Sequence, residues 1–239
     1  MTERRIVDVS ALRIAYRVDG GPDTPPMVLL HGLTSDGSSW NSVLPAFSAH
    51  WRVYVPDLRG HGETTWPGEY AFGLMKDDLL GFLDRLDLER AVLVGHSMGG
   101  VAAYLLAQEH PGRVAALVLE ETPPPVPHRR TVPERPPGPL SYDWAVRPAV
   151  VGQVNSPDPA WWEQLEAIKS PTLVIGGGPA SPFDQDAIAA MADRIPGARM
   201  VSIPVGHGVH KEDPTEFVAA VTGFLADAFP GRRNVPSAS

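Results

Sequence analysis

The chain has 239 residues, no cysteine, and a formal charge of -8 from 28 acidic and 20 basic side chains. Its length suits one α/β domain with a modest insertion, and a 43% hydrophobic content supplies a sizeable core. The acidic balance argues against nucleic acid or an anionic membrane as partner, and the missing cysteines exclude disulfides, thiol nucleophiles, Fe–S clusters and thiolate zinc sites.

The opening residues carry no apolar signal core and read directly into a strand, so a soluble, cytoplasmic protein is expected. Two short strands come first, Arg5–Val9 and Leu12–Val18, ending at the turn Asp19-Gly20-Gly21-Pro22. Met27–Leu30 is wholly apolar, as befits a strand buried on both faces, and Arg52–Val55, Ala91–Val94, Val114–Leu119, Thr172–Ile175 and Met200–Ile203 repeat the theme. Helical spacing fills the intervals at Ser39–Ser48, Phe72–Leu86, Met98–Glu109, Gln185–Ile195 and Pro214–Phe229. This alternation predicts a mostly parallel, eight-stranded sheet flanked by helices. The apolar stretch from Ala91 to Ala107 is interrupted by His96, Ser97 and two glycines, and so reads as strand, turn and helix rather than a membrane span.

One stretch breaks the alternation. Prolines crowd residues 122–160, from Pro123-Pro124-Pro125 to Pro157 and Pro159, which argues against long helices and central strands. Its aromatic residues suggest packing, so 122–167 is expected to form a short Pro-rich lid on a core made of 1–121 and 168–230. Residues 231–239 are expected to form a disordered tail.

The chemistry centres on Gly95-His96-Ser97-Met98-Gly99. A strand turning sharply into a helix lifts the Ser97 hydroxyl clear of the sheet, and the flanking glycines keep side chains out of the tight turn. A serine nucleophile needs a base, and His207 stands just after the last strand, at the same sheet edge as Ser97. Two backbone donors are needed for the oxyanion. Met98 N–H opens the helix after the nucleophile, and Leu33 N–H follows His31-Gly32 at the end of the third strand. Leu33, Met98, Trp40, Leu140 and Trp144 are expected to contribute substrate-facing walls. His207 and His210 stand three apart, but no paired carboxylate motif supports a metal site, and no cofactor is expected.

These motifs together resemble the α/β-hydrolase superfamily, in particular its small haloperoxidase-like and esterase-like serine hydrolases. His31-Gly32 resembles the oxyanion motif, Pro56 to Gly62 the loop after the next strand, Gly95 to Gly99 the nucleophile elbow, and Gly206-His207 the histidine loop. The resemblance extends over roughly residues 5–228. It implies a triad acid, usually an Asp shortly after the seventh strand, but Ala180 and Ser181 occupy that region here. Asp184 comes late, where it would cap the next helix, and Asp186 would lie in that helix's first turn. The family's other location, the end of the sixth strand, reads Glu120-Glu121. Alternation along a strand lets only one of these face His207. Glu121 matches the relatives' position and is taken as the acid, with Glu120 and Asp184 as alternatives.

The expected activity is hydrolysis of a small ester-like or related acyl substrate through an acyl-enzyme on Ser97. The alternatives are C–C bond hydrolysis, lactone opening or a biosynthetic tailoring step with the same residues, or a non-catalytic ligand-binding protein on the same fold. Serine at position 97 argues against dehalogenation, which needs an acidic nucleophile. The partner is a small molecule; nothing in the sequence specifies an oligomeric state.

Overall fold

The computed structural model describes residues 3–231. Eight strands form one sheet: β1 Glu3–Val9, β2 Leu12–Asp19, β3 Pro26–Leu30, β4 Arg52–Pro56, β5 Ala91–His96, β6 Val114–Glu120, β7 Thr172–Gly176 and β8 Arg199–Ser202. Their order is β1-β2-β4-β3-β5-β6-β7-β8. β1 and β2 form a hairpin whose second strand runs antiparallel to β4, and all other neighbours are parallel. Among the described residues the α-helices are α1 Leu44–Ser48, α2 Phe72–Arg85, α3 Met98–Glu109, α4 Val146–Asn155, α5 Pro159–Glu163, α6 Gln185–Arg194, α7 Val209–Glu212 and α8 Pro214–Ala228.

The period-two alternation of each strand divides the core between the two faces of the sheet. Val28 and Leu30 of β3 and Leu117 and Leu119 of β6 pack with Met75, Phe82 and Tyr104 of α2 and α3. Met27, Leu29, Val92, Val94 and Val118 face the other way, toward Phe47 of α1 and Phe217 and Val221 of α8. Every residue of β5 is buried, because helices cover both faces. The apolar run from Ala91 is therefore strand, elbow and α3, and among the described residues no helix is long and apolar enough to cross a membrane.

From β3 the chain crosses to β4 on one side, and from β5 it moves to β6 on the other. The carboxyl ends of β3 and β5 thus flank the point where the winding reverses, which is where open α/β sheets form a crevice.

Two regions depart from the sequence pattern. Ser39–Ser48 is not one helix: a 3-10 turn at Gly37–Trp40 precedes α1, whose first turn contains Pro45. The Pro-rich β6–β7 connection lies outside the sheet but contains a ten-residue helix, α4, that its proline density argues against. Pro148 falls in the first turn of α4, where a missing N–H costs no intrahelical bond. Of the C-terminal segment expected to be disordered, only Gly231 lies within the described residues.

Candidate active site

Ser97 stands between β5 and α3 with φ 49° and ψ -113°, a left-handed backbone that costs a β-carbon residue strain. Its N–H donates to the Glu120 carbonyl of β6 at 2.9 Å, and its carbonyl accepts from Val101 N–H at 3.2 Å, so sheet and helix together hold the turn. The flanking glycines are steric necessities. A Cβ at position 95 would fall 2.5 Å from the Gly100 Cα, and one at 99 would fall 2.4 Å from the Leu30 carbonyl oxygen.

The loop after β3 is held by two buried neutral histidines. Leu58 N–H donates to His31 Nε2 at 2.9 Å, leaving Nδ1–H to donate to the Gly32 carbonyl at 2.9 Å. Thr34 N–H donates to His61 Nε2 at 3.3 Å, and His61 Nδ1–H donates to the Arg59 carbonyl at 3.0 Å. Burial pushes His31 down to about 4 and His61 to about 3, so both stay uncharged at neutral pH. Asp57 accepts from the Gly37 and Glu63 N–H groups, and Arg59 grips Asp78, so these residues brace the neighbouring loop. Leu33 N–H has no acceptor among the described residues, and Met98 N–H belongs to the first turn of α3, where no intrahelical acceptor exists.

At the far side of β5, the two adjacent carboxylates of the sequence diverge. Glu120 ends β6 fully buried and accepts from His210 Nδ1–H at 2.7 Å and His210 N–H at 2.9 Å. Glu121 leaves the strand with φ 46° and turns the other way. Its buried carboxylate accepts from Gly177 N–H, the Ser181 hydroxyl, Gln185 Nε2–H at 3.2 Å and His207 Nδ1–H at 3.1 Å. Burial alone would raise the Glu121 carboxyl, but the hydrogen bonds from His207, Ser181, Gly177 and Gln185 outweigh it and hold the group below the ordinary glutamate value. Asp184 is exposed and caps α6 by accepting from Asp186 N–H at 3.0 Å, away from this network.

His207 follows β8 in a loop tied to the residue just past β7 by Gly206 N–H donating to the Gly177 carbonyl at 2.9 Å. Its own carbonyl accepts from His96 Nε2–H at 2.7 Å. Burial pushes His96 down to about 4, so it acts as a neutral donor that pins the His207 backbone.

Ser97, His96 and His207 open into one cavity of about 240 Å³. Leu33, Thr34 and Met98 form one wall, and Phe72 and Phe183 add aromatic surface. The β6–β7 connection closes it with Arg147, Val150, Val151 and Val154, the i, i+3, i+4, i+7 face of α4, together with Arg130. Leu33 and Met98 therefore stand where the sequence places them, whereas three other expected wall residues do not. Trp40 is fully buried, stacked on His210 at 4.1 Å within the α8 side of the core. Leu140 belongs to the irregular stretch before α4 and does not line the cavity. Trp144 stops just short of α4, packs near Tyr142 and Arg147, and does not line the cavity. The cavity-facing residues of α4 escape sequence reading because prolines mask the helical spacing of Arg147, Val150, Val151 and Val154.

A model of the alpha/beta hydrolase fold family matches residues 25–150, which include β3, the elbow, α3 and β6. The chain belongs to the alpha/beta hydrolase fold family. It is 28% identical to the mouse (Mus musculus) sn-1-specific diacylglycerol lipase ABHD11 over 92% of this chain and 87% of that protein. It is 38% identical to human (Homo sapiens) epoxide hydrolase 4, but over only 51% of this chain and 34% of that protein. Among solved structures, a hydrolase from Pseudomonas aeruginosa PA01 superposes with a TM-score of 0.82 at 26% identity, covering 93% of this chain and 98% of that one. An esterase from Thermogutta terrifontis superposes with a TM-score of 0.77 at 25% identity, covering 95% and 99%. The chain is a hydrolase of this fold.

Proposed function

We propose that this hydrolase cleaves a small ester or related acyl substrate through an acyl-enzyme on Ser97. The observation that carries the reading is the buried Glu121 carboxylate behind the cavity, 3.1 Å from Nδ1 of His207, which lines the same cavity as Ser97. Glu121 fixes the tautomer with the proton on Nδ1, which frees Nε2 to act as a base. In the first half-reaction the Ser97 oxygen attacks the substrate carbonyl carbon and its proton passes to His207. The tetrahedral oxyanion accepts from Leu33 N–H and Met98 N–H. His207 then returns its proton to the departing oxygen, and the acyl group remains on Ser97. Water, deprotonated by His207, repeats the attack and releases the acid.

Segment 122–167 acts as a lid in this reading, since α4 and Arg130 supply one side of the cavity. The cavity is smaller than the roughly 300–1,000 Å³ of sites for drug-sized molecules, which favours a compact substrate. A net charge of -8 and the lack of cysteine suit a cytoplasmic enzyme acting on small molecules rather than on nucleic acid. The non-catalytic alternative draws on the missing acid after β7, and a carboxylate on His207 takes that support away.

Labelling with a fluorophosphonate probe, alongside hydrolysis of short p-nitrophenyl esters, tests the reading. Wild type is expected to be labelled at Ser97 and Ser97→Ala to be inert. Folded wild type that neither reacts with the probe nor cleaves any ester would overturn it.

A further inference from the structure

Two arginines face the cavity, and no carboxylate lines it. Nη1 of Arg130 and Nε of Arg147 are buried without a hydrogen-bond partner in the protein, and neither side chain forms an ion pair among the described residues. Both side chains are half-buried, and a buried donor left without an acceptor is costly. Here the fold holds two like charges near each other in a protein that is acidic overall. Burial and the neighbouring Arg147 both push the Arg130 guanidinium below its ordinary value.

Their positions are built, not incidental. The Arg130 backbone is clamped to the end of α4: its N–H donates to Asn155 Oδ1 and its carbonyl accepts from Asn155 Nδ2–H, both at 2.8 Å. The Arg130 guanidinium lies 4.6 Å over the Phe183 ring, and that of Arg147 lies 5.9 Å from the Trp144 ring. Aromatic faces orient such cations without supplying the acceptors that a guanidinium fork matches. Val150, Val151 and Val154 share that wall with Thr131, so the cations stand in a largely apolar surround that strengthens attraction for an anion.

We propose that Arg130 and Arg147 form a subsite for an oxyanion group, a carboxylate or a phosphate, carried by the substrate away from its scissile bond. This inference rests on the reading of Ser97 as the nucleophile for the identity of the bond broken, but not for the binding itself. The preferred substrate is then an acid ester or related acyl compound whose apolar segment spans from Ser97 to the arginines.

Calorimetry on Ser97→Ala reads binding without turnover. The probes are monomethyl adipate, its neutral terminal amide, and the analogue with a phosphonate in place of the carboxylate. At least one anion is expected to bind about tenfold or more tighter than the amide, and the preference to collapse toward unity in Arg130→Gln and Arg147→Gln. The tighter anion identifies which oxyanion the site favours. Should a Gln variant fail to fold, salt titration serves instead: the anion's affinity alone should fall steeply as ionic strength rises. An amide that binds as tightly as both anions, absence of binding by either anion, or a preference unchanged in folded Gln variants would overturn the proposal. Failure of the hydrolase reading looks different: anions still bind preferentially, but wild type turns over no ester and takes no fluorophosphonate.

Discussion

Glu120 and Glu121 are neighbours in the chain, yet each is bonded to the Nδ1 of a different histidine: Glu120 to His210, Glu121 to His207. The divergence arises because β6 ends at Glu120 and Glu121 takes a left-handed backbone. One pair is sealed in the core beneath Trp40; the other meets the cavity through a histidine whose side chain is 35% exposed. Two adjacent carboxylates thus serve two different histidines, one fully buried and one facing the cavity.

The sealed pair carries stability. Replacing Glu120 by Ala leaves His210 without its acceptor in a fully buried site, and is expected to cost about 3–5 kcal/mol. Urea unfolding followed by circular dichroism measures this, and a loss below about 1 kcal/mol would contradict a structural role for the pair.

The elbow glycines and the helix glycine of α4 should respond in opposite directions. Gly95→Ala drives a Cβ into the Gly100 backbone and is expected to cost about 1–3 kcal/mol and to disrupt Ser97 labelling. Gly152 sits exposed within α4, and a methyl group added there would meet nothing within 4 Å, so Gly152→Ala is expected to add up to about 1 kcal/mol. Thermal melts of the two variants, with fluorophosphonate labelling of the first, check both signs.

Stability should fall as pH drops below 6.5. His31, His61 and His96 are held at about 4, 3 and 4 in the folded protein, against 6.5 when exposed. Between those values the unfolded chain binds protons that the folded chain refuses, so unfolding becomes easier by about 1.4 kcal/mol per pH unit for each histidine. Glu121 adds to this lower down: its depressed carboxyl stabilises the fold above the ordinary glutamate value of 4.5, and that contribution is lost as pH falls through its folded value. Urea midpoints from pH 8 to 4.5 test the histidine window; a flat profile across it would show that these side chains protonate freely in the fold.

Most of the sheet is readable from sequence because its strands are short apolar runs that a helix cannot mimic at that length, and the elbow announces itself through Gly95, Ser97 and Gly99. The two candidate carboxylates are readable too, as charged residues at the end of a buried strand. The resemblance matches Glu121 to His207, but the pairing of Glu120 with His210 is not legible, because it depends on a histidine arriving from ninety positions away. Ser181 illustrates the same gap: it stands where an acid is expected, and instead donates to the Glu121 carboxylate just past the neighbouring strand. Trp40 reads as a wall residue in sequence, since an aromatic near a site motif fits a core as well as a pocket. Arg130 and Arg147 do not stand out because nothing local distinguishes a cavity-facing, half-buried arginine from a solvated one.

If Glu121 orients His207 for attack by Ser97, amide substitutions at the two rival carboxylates should have sharply different effects. Steady-state kcat/KM for a short p-nitrophenyl ester should fall about 10²–10⁴-fold in Glu121→Gln, with the variant still folded. Asp184→Asn, which alters only the cap of α6, should remain within about threefold of wild type while losing at most about 1 kcal/mol of stability. Near-wild-type turnover in Glu121→Gln together with a loss of orders of magnitude in Asp184→Asn would instead make Asp184 the partner of His207.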